Sequence, residues 1–136
     1  MNFRLDETVA VVVGGTGVLG GSMSRGLAAA GARVAVVGRS SERGVAVVAS
    51  IRESGGEAIF VSCDATHRDD LVQARERIVA EFAEPAVLIN AAGGNDPGVT
   101  VSEDLRFEDI DLASWSKRFD LNLAAGVLLP CQVFGP

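Results

Sequence analysis

No tyrosine occurs among the 136 residues, and lysine and histidine occur once each, as Lys117 and His67. The cationic charge therefore rests on scattered arginines, and the net charge is −6. A nucleic-acid surface needs clustered Lys and Arg against phosphate, so this balance argues against that partner. The two cysteines, Cys63 and Cys131, are far apart and fit no metal-binding spacing. They read as two buried thiols in a reducing compartment. No apolar run approaches the ~20 residues of a membrane helix. Arg4, Asp6 and Glu7 stand where the apolar core of a secretion signal would lie. A soluble cytoplasmic protein with no membrane partner is the expectation.

What is present is apolar and periodic. Hydrophobic residues make up 48% of the chain, enough for one domain with a core of its own. Thr8–Val13 is a continuous β-branched run, suited to a strand buried on both faces. From Leu19, apolar residues recur at Met23, Leu27 and Ala30 and stop at Gly31, which predicts a helix. Arg33–Val37 predicts a second strand. Ser40 or Ser41 caps a helix with Val45, Val48 and Ile51 on one face, ended by Ser54-Gly55-Gly56. Glu57–Cys63 predicts a third strand. Thr66 caps a helix with Leu71, Ala74, Ile78 and Phe82 inward, and Pro85 precedes a fourth strand, Ala86–Ile89. Asn90–Phe107 reads as a loop, and a last helix runs from about Asp111 to Phe134. Its residues Leu112, Trp115, Phe119, Asn122 and Gly126 share a stripe expected to face the core.

Strands separated by helices run parallel, because each helix carries the chain back. The expected fold is α/β: a doubly wound parallel sheet in three layers, αβα, reaching strand four and the helix after it, as one domain over residues 1–136.

The chemistry-bearing stretch is Val13-Gly14-Gly15-Thr16-Gly17-Val18-Leu19-Gly20, between the first strand and the first helix. In a doubly wound sheet this turn lies at the carboxyl edge, where ligands bind. Glycines let the backbone approach a ligand closely, and the helix start offers free N–H groups to a pyrophosphate. No Gly-Lys-Ser/Thr follows, so the stretch is not a P-loop.

This stretch resembles the Thr-Gly-x-x-x-Gly-x-Gly loop of the short-chain dehydrogenase/reductase family. Gly14 and Gly20 match its first and last glycines, whereas Val13 replaces the opening Thr and Val18 the middle Gly, with Gly17 one place earlier. Three further matches fall at the family's separations. Asp64 matches the Asp of the adenine pocket, with Ala65 beside it. Asn90-Ala91-Ala92-Gly93 matches the Asn-Asn-Ala-Gly segment after strand four. Asn122 matches the helix Asn. "AAGGNDP" and "LLPCQVFG" resemble the branch related to sugar-acid and polyol reductases. The resemblance implies a Rossmann-type fold, the N-terminal half of such a protein, and a nicotinamide dinucleotide held by Gly14, Thr16, Gly17, Val18, Leu19, Gly20, Arg39, Ser40, Asp64, Ala65, Asn90, Ala91, Ala92 and Gly93.

An acidic residue at the end of strand two would bind the ribose 2′-hydroxyl and repel a 2′-phosphate. Gly38 stands there instead, followed by Arg39 and Ser40, which favours NADP(H) over NAD(H) without forbidding the latter. Asn122 takes either of two roles: it ties down a neighbouring loop, or, as the resemblance implies, it holds the water of a proton relay. His67 reads as a solvated residue in the first turn of its helix.

Carbonyl reduction needs a hydride and a proton. The family's acid is Tyr in a Tyr-x-x-x-Lys pair after strand five, with a Ser at that strand's end. This chain has no tyrosine, and Lys117 matches no such lysine. The expected function is a short-chain NAD(P)-dependent oxidoreductase, with the 136-residue chain inactive alone. A non-catalytic dinucleotide-binding module and one half of a split enzyme remain alternatives. With strand four at an edge and the last helix uncovered on one side, the chain is expected to self-associate through those surfaces.

Overall fold

The computed structural model describes residues 4–135. Four valine-rich strands pair in parallel: β1 (Val9–Val13), β2 (Arg33–Gly38), β3 (Glu57–Ser62) and β4 (Val87–Asn90), in the order β3-β2-β1-β4. Val9 lies beside Arg33 and Val13 beside Val37. On the other side Val13 pairs with Asn90. The returns are made by α1 (Val18–Ala29), α2 (Ser41–Glu53) and α3 (Arg68–Glu81). The chain steps outward from β1 to β3 and then jumps back to β4 on the far side of β1. The carboxyl ends of β1 and β4 therefore flank the reversal in strand order, where an open α/β sheet has its crevice.

The sheet separates two apolar layers. On one face Val9, Val11, Val13, Ala35 and Val37 pack with Leu71, Ala74 and Ile78 of α3. On the other, Ala10, Val12, Val34 and Val36 pack with Ala28, Val48 and Ile51 of α1 and α2. This is the doubly wound, three-layer αβα arrangement that the alternating elements implied. No helix among the described residues is long and apolar enough to cross a membrane.

The helix faces depart from the expected stripes. In α1 the buried residues are Gly20, Gly21, Ser24 and Ala28, while Leu19 and Met23 are exposed. Small residues face the sheet because α1 lies close to it. Ser24 is fully buried and donates its hydroxyl to the Gly20 carbonyl at 2.8 Å. In α2, Val45 is exposed and Gly44 takes its place on the inner face, where a side chain would overlap the Phe60 ring. Ser40 caps α2, its hydroxyl accepting from the Arg43 N–H at 3.4 Å. Thr66 does not cap α3. His67 holds that position without a side-chain cap, and Thr66 turns back to Asp64.

After β4 the chain forms a loop with two short 3-10 turns, Pro97–Val99 and Phe107–Asp109. It then enters α4 (Leu112–Phe119), a π-helical stretch (Asp120–Leu128) and α5 (Leu129–Phe134) without a break. Asp111 caps α4, its Oδ1 accepting from the Ser114 N–H at 2.9 Å. Pro130 has no N–H to donate and would crowd the carbonyl four residues earlier in an α-helix. The wider π turn before it provides room. The expected inward stripe is not found: Leu112, Trp115, Phe119 and Asn122 are exposed, and Gly126 alone of that set is buried. Inward contact comes instead from Ala125, Gly126, Val133 and Phe134. Cys131, expected to be buried, is exposed, whereas Cys63 is buried as expected.

Candidate dinucleotide site

The backbone dictates the glycine turn at the end of β1. Gly14 has φ +86°, and a side chain there would overlap the backbone of Ala91 and Ala92, where the chain leaves β4. A side chain at Gly20 would overlap the Gly14 carbonyl. The turn is fixed by the Gly14 and Gly15 N–H groups, which donate to the Val37 carbonyl at 2.9 and 3.0 Å. Gly17 is the N-cap of α1 and no side chain caps that helix. The first N–H groups of α1 therefore face outward with the positive end of the helix dipole behind them. Val18 and Leu19, in the first turn, are exposed.

The next wall comes from the end of β2. Gly38 has no side chain, and the Thr16 hydroxyl fills the space a Cβ would take, 2.6 Å from its ideal position. Arg39 and Ser40 follow. Facing them beyond β3 is Asp64, whose Oδ1 accepts from the Thr66 N–H at 3.0 Å and the Thr66 hydroxyl at 2.7 Å. Those hydrogen bonds, then the nearby Arg39 and His67, hold the Asp64 carboxyl below the usual range, so it stays ionised at neutral pH. Cys63, one residue earlier, has its thiol pushed up to about 11 by burial and by Asp70 and Asp64, and stays protonated.

The last wall joins the segment after β4 to the π-helical stretch. The Ala91 N–H donates to the Val13 carbonyl at 2.8 Å. At Gly126 a side chain would come within 2.8 Å of the Ala92 carbonyl oxygen, so only glycine lets the helix approach this closely. Both the oxygen and the nitrogen of the Asn122 amide are engaged by backbone. Its Oδ1 accepts from the Gly94 N–H at 2.9 Å, and its Nδ2 donates to the Gly94 and Arg118 carbonyls, each at 3.1 Å. The loop-tying role is thus the geometry observed for this side chain. Asn90 is exposed at the end of β4 and donates to the Cys131 sulfur at 3.4 Å.

These walls enclose a cavity of about 220 Å³. Of the residues expected to hold a ligand, Gly14, Thr16, Gly17, Arg39, Ser40, Asp64, Ala65, Ala91, Ala92 and Gly93 line it. Val18, Leu19 and Gly20 lie beside it on the helix start, while Asn90 and Asn122 do not line it. Arg43, Thr66, Leu121 and Ala125 line it without having been expected. Arg43 carried one readable signal: a basic residue in the first turn of a helix runs against the dipole. Leu121 and Ala125 carried none, because their inward turn follows from the π geometry. A wider groove of about 660 Å³ continues past Arg39, Asp64 and Thr66 to Ser116, Lys117 and Arg118 of α4.

A parallel doubly wound sheet with a glycine turn at its switch point defines a Rossmann-type α/β protein. The particular group is the short-chain dehydrogenase family, to which the chain belongs: the model of that family matches residues 8–135. Among curated proteins it is 39% identical to an uncharacterised oxidoreductase of Bacillus subtilis, UxuB, over 97% of this chain and 50% of that one. It is 30% identical to the D-threitol dehydrogenase of Mycolicibacterium smegmatis, over 98% of this chain and 48% of that one. Among solved structures it superposes with TM-score 0.89 and 29% identity on a Haemophilus influenzae protein described as a candidate D-mannonate oxidoreductase with bound NAD, covering 98% of this chain and 51% of the other. A metagenomic short-chain oxidoreductase in complex with NADP gives TM-score 0.82 at 31% identity, over 97% of this chain and 57% of that one. The chain spans about half the length of the curated relatives it matches.

Proposed function

We propose that residues 1–136 form one dinucleotide-binding domain of an NAD(P)-dependent oxidoreductase that interconverts a carbonyl and an alcohol. The supporting observation is the cavity, which sets the uncapped start of α1 and the glycine turn against Arg39, Ser40 and Asp64. The donor set fits a dinucleotide. Outward N–H groups of Val18, Leu19 and Gly20 suit a pyrophosphate. Asp64 and Ala65 lie where an adenosine would be held, and Ala91, Ala92 and Gly93 close the opposite side. When bound, a nicotinamide cofactor supplies the hydride. This chain's residues bind and orient, and the segment after β4 sterically limits the cavity. The proton needs an acid near the carbonyl oxygen. With no tyrosine present, we assign that acid, with its Ser and Lys, to residues supplied beyond this chain's 136, and Asn122 to a supporting position near the relay.

NADP(H) is favoured over NAD(H). Gly38 brings no carboxylate to repel a 2′-phosphate, and the Thr16 hydroxyl occupies the space where such a side chain would begin. Arg39 and Ser40 offer a guanidinium and a hydroxyl to that phosphate. Titration with NADPH, NADH and ADP-ribose 2′-phosphate tests this. The 2′-phosphorylated ligands should bind more tightly, by about tenfold, and Arg39→Gln should remove the difference. Equal or absent binding of all three overturns it.

The edge of β4 and the exposed Leu112, Trp115, Phe119, Leu123, Val127 and Leu128 support self-association. A clean monomer by light scattering at high concentration would remove that reading.

A further inference from the structure

The last wall of the cavity has two parts that belong to different stretches of the chain. Ala91, Ala92 and Gly93 form one, and Leu121 and Ala125 of the π-helical stretch form the other. What holds them together lies just outside the cavity. Among the described residues, every hydrogen bond from segment 94–100 to the rest of the chain goes to Asn122 or Arg118, one helical turn apart. Asn122 grips both the N–H and the carbonyl of Gly94. Arg118 grips Asp96 with Nε and Nη2, at 2.9 and 2.6 Å, both to the same Oδ2. The other oxygen, Oδ1, accepts from the Gly98 N–H at 2.9 Å.

This ion pair differs from the ordinary surface kind, which contributes little because two flexible chains must be ordered. Its partners are only 24% and 33% exposed, and the Asp96 carboxylate is already oriented by the turn it caps. We propose that Arg118 and Asp96 are positioning residues: their pair, with the Asn122 contacts, holds the segment after β4 against the π-helical wall and so sets the width of the dinucleotide cavity. Neither needs to touch the nucleotide. The proposal rests on the dinucleotide reading of the cavity.

The test compares wild type, Arg118→Met, Asp96→Asn and Arg118→Lys. Amide hydrogen exchange at Gly94 and Gly98 reports the segment, and titration with NADH and NADPH reports the cavity. Arg118→Met should speed exchange at Gly94 and leave β1 and β2 amides unchanged. It should weaken both nucleotides by the same factor, about tenfold. Arg118→Lys should recover part of that loss, because it restores the charge without the fork. Asp96→Asn keeps an acceptor for Gly98 and should weaken both nucleotides less than Arg118→Met. It also carries the test if the Met variant does not fold. Wild-type affinity in both charge-removing variants, or an affinity loss for only one nucleotide, overturns the proposal. Failure of the wild-type chain to bind either nucleotide overturns the dinucleotide reading itself, and this proposal with it.

Discussion

The inner strands and the C-terminal helix handle the same kind of residue in opposite ways. Along β1, five consecutive apolar residues are at most 1% exposed, sealed by helices on both faces. Along α4 and the π-helical stretch, Leu112, Trp115, Phe119, Leu123, Val127 and Leu128 point outward, with Leu112 78% exposed. The first region is stabilised by contacts within the described chain. The second buries only small residues, Ala125 and Gly126, within this stretch and leaves those large ones uncovered. Burial in a parallel sheet is enforced from both sides, whereas a helix at the end of the sheet is covered only where another element reaches it.

The largest expected effect separates the regions by stability. Leu71→Ala or Ile78→Ala, at fully buried positions, should cost about 2–5 kcal/mol in denaturant unfolding. Leu112→Ala or Leu128→Ala should stay within about 0.5 kcal/mol. Comparable losses in both sets would show that the outer helix face is covered after all. Next in size is Gly20→Ala, whose added Cβ meets the Gly14 carbonyl. Calorimetric titration should show at least about a tenfold loss of nucleotide affinity as the turn shifts. Unchanged affinity would separate the glycine turn from the ligand.

A smaller effect concerns the two thiols. Cys131 is exposed, and Cys63 is buried with its pKa raised to about 11. A thiolate-seeking reagent should label Cys131 in the folded protein and Cys63 only after unfolding. Equal labelling would place the sheet and the tail in one class of accessibility. The smallest effect is in pH. Asp96 titrates below the ordinary carboxylate range, held there first by the Gly98 N–H, then by Arg118. A carboxylate lowered on folding contributes stability above its unfolded value, lost as pH falls through the folded one. The protection factor of the Gly98 amide, its exchange rate corrected for the intrinsic rate at each pH, should therefore be flat above about pH 5 and fall below about pH 4, with β2 amides unaffected at the onset.

The sequence made the strands legible because a valine run buried on both faces needs no knowledge of its neighbours. It made the glycine turn legible because a backbone crossing at Gly14 tolerates little else. Helix faces were harder to read. Periodicity marks large apolar residues, but α1 approaches the sheet through Gly20, Gly21, Ser24 and Ala28, so Leu19 and Met23 fall on the outside. Val45 is displaced in the same way by Gly44 against Phe60. In the last helix Leu112, Trp115 and Phe119 are exposed already on α4, and from Asp120 the π geometry adds residues to each turn, so a stripe counted at 3.6 per turn loses its register there. Thr66 looked like a cap, but the nearby Asp64 carboxylate offered its N–H and hydroxyl a better acceptor. Arg118 and Asp96 carry no sequence pattern that links them; only the fold brings them together.

The strand order has a consequence in time. The pairings of β1 with β2 and β2 with β3 join neighbouring stretches and can form while a ribosome is still making the rest. Gly14 meets its steric counterparts, Ala91 and Ala92, only after more than half the chain has followed it, and the wall from Leu121 to Ala125 comes later still. A nascent chain would thus carry much of both apolar layers before the pocket is complete, and Val133 and Phe134 join the core only after its last wall has been made. A ligand that needs the completed pocket would stabilise that last stage of folding and not the earlier ones.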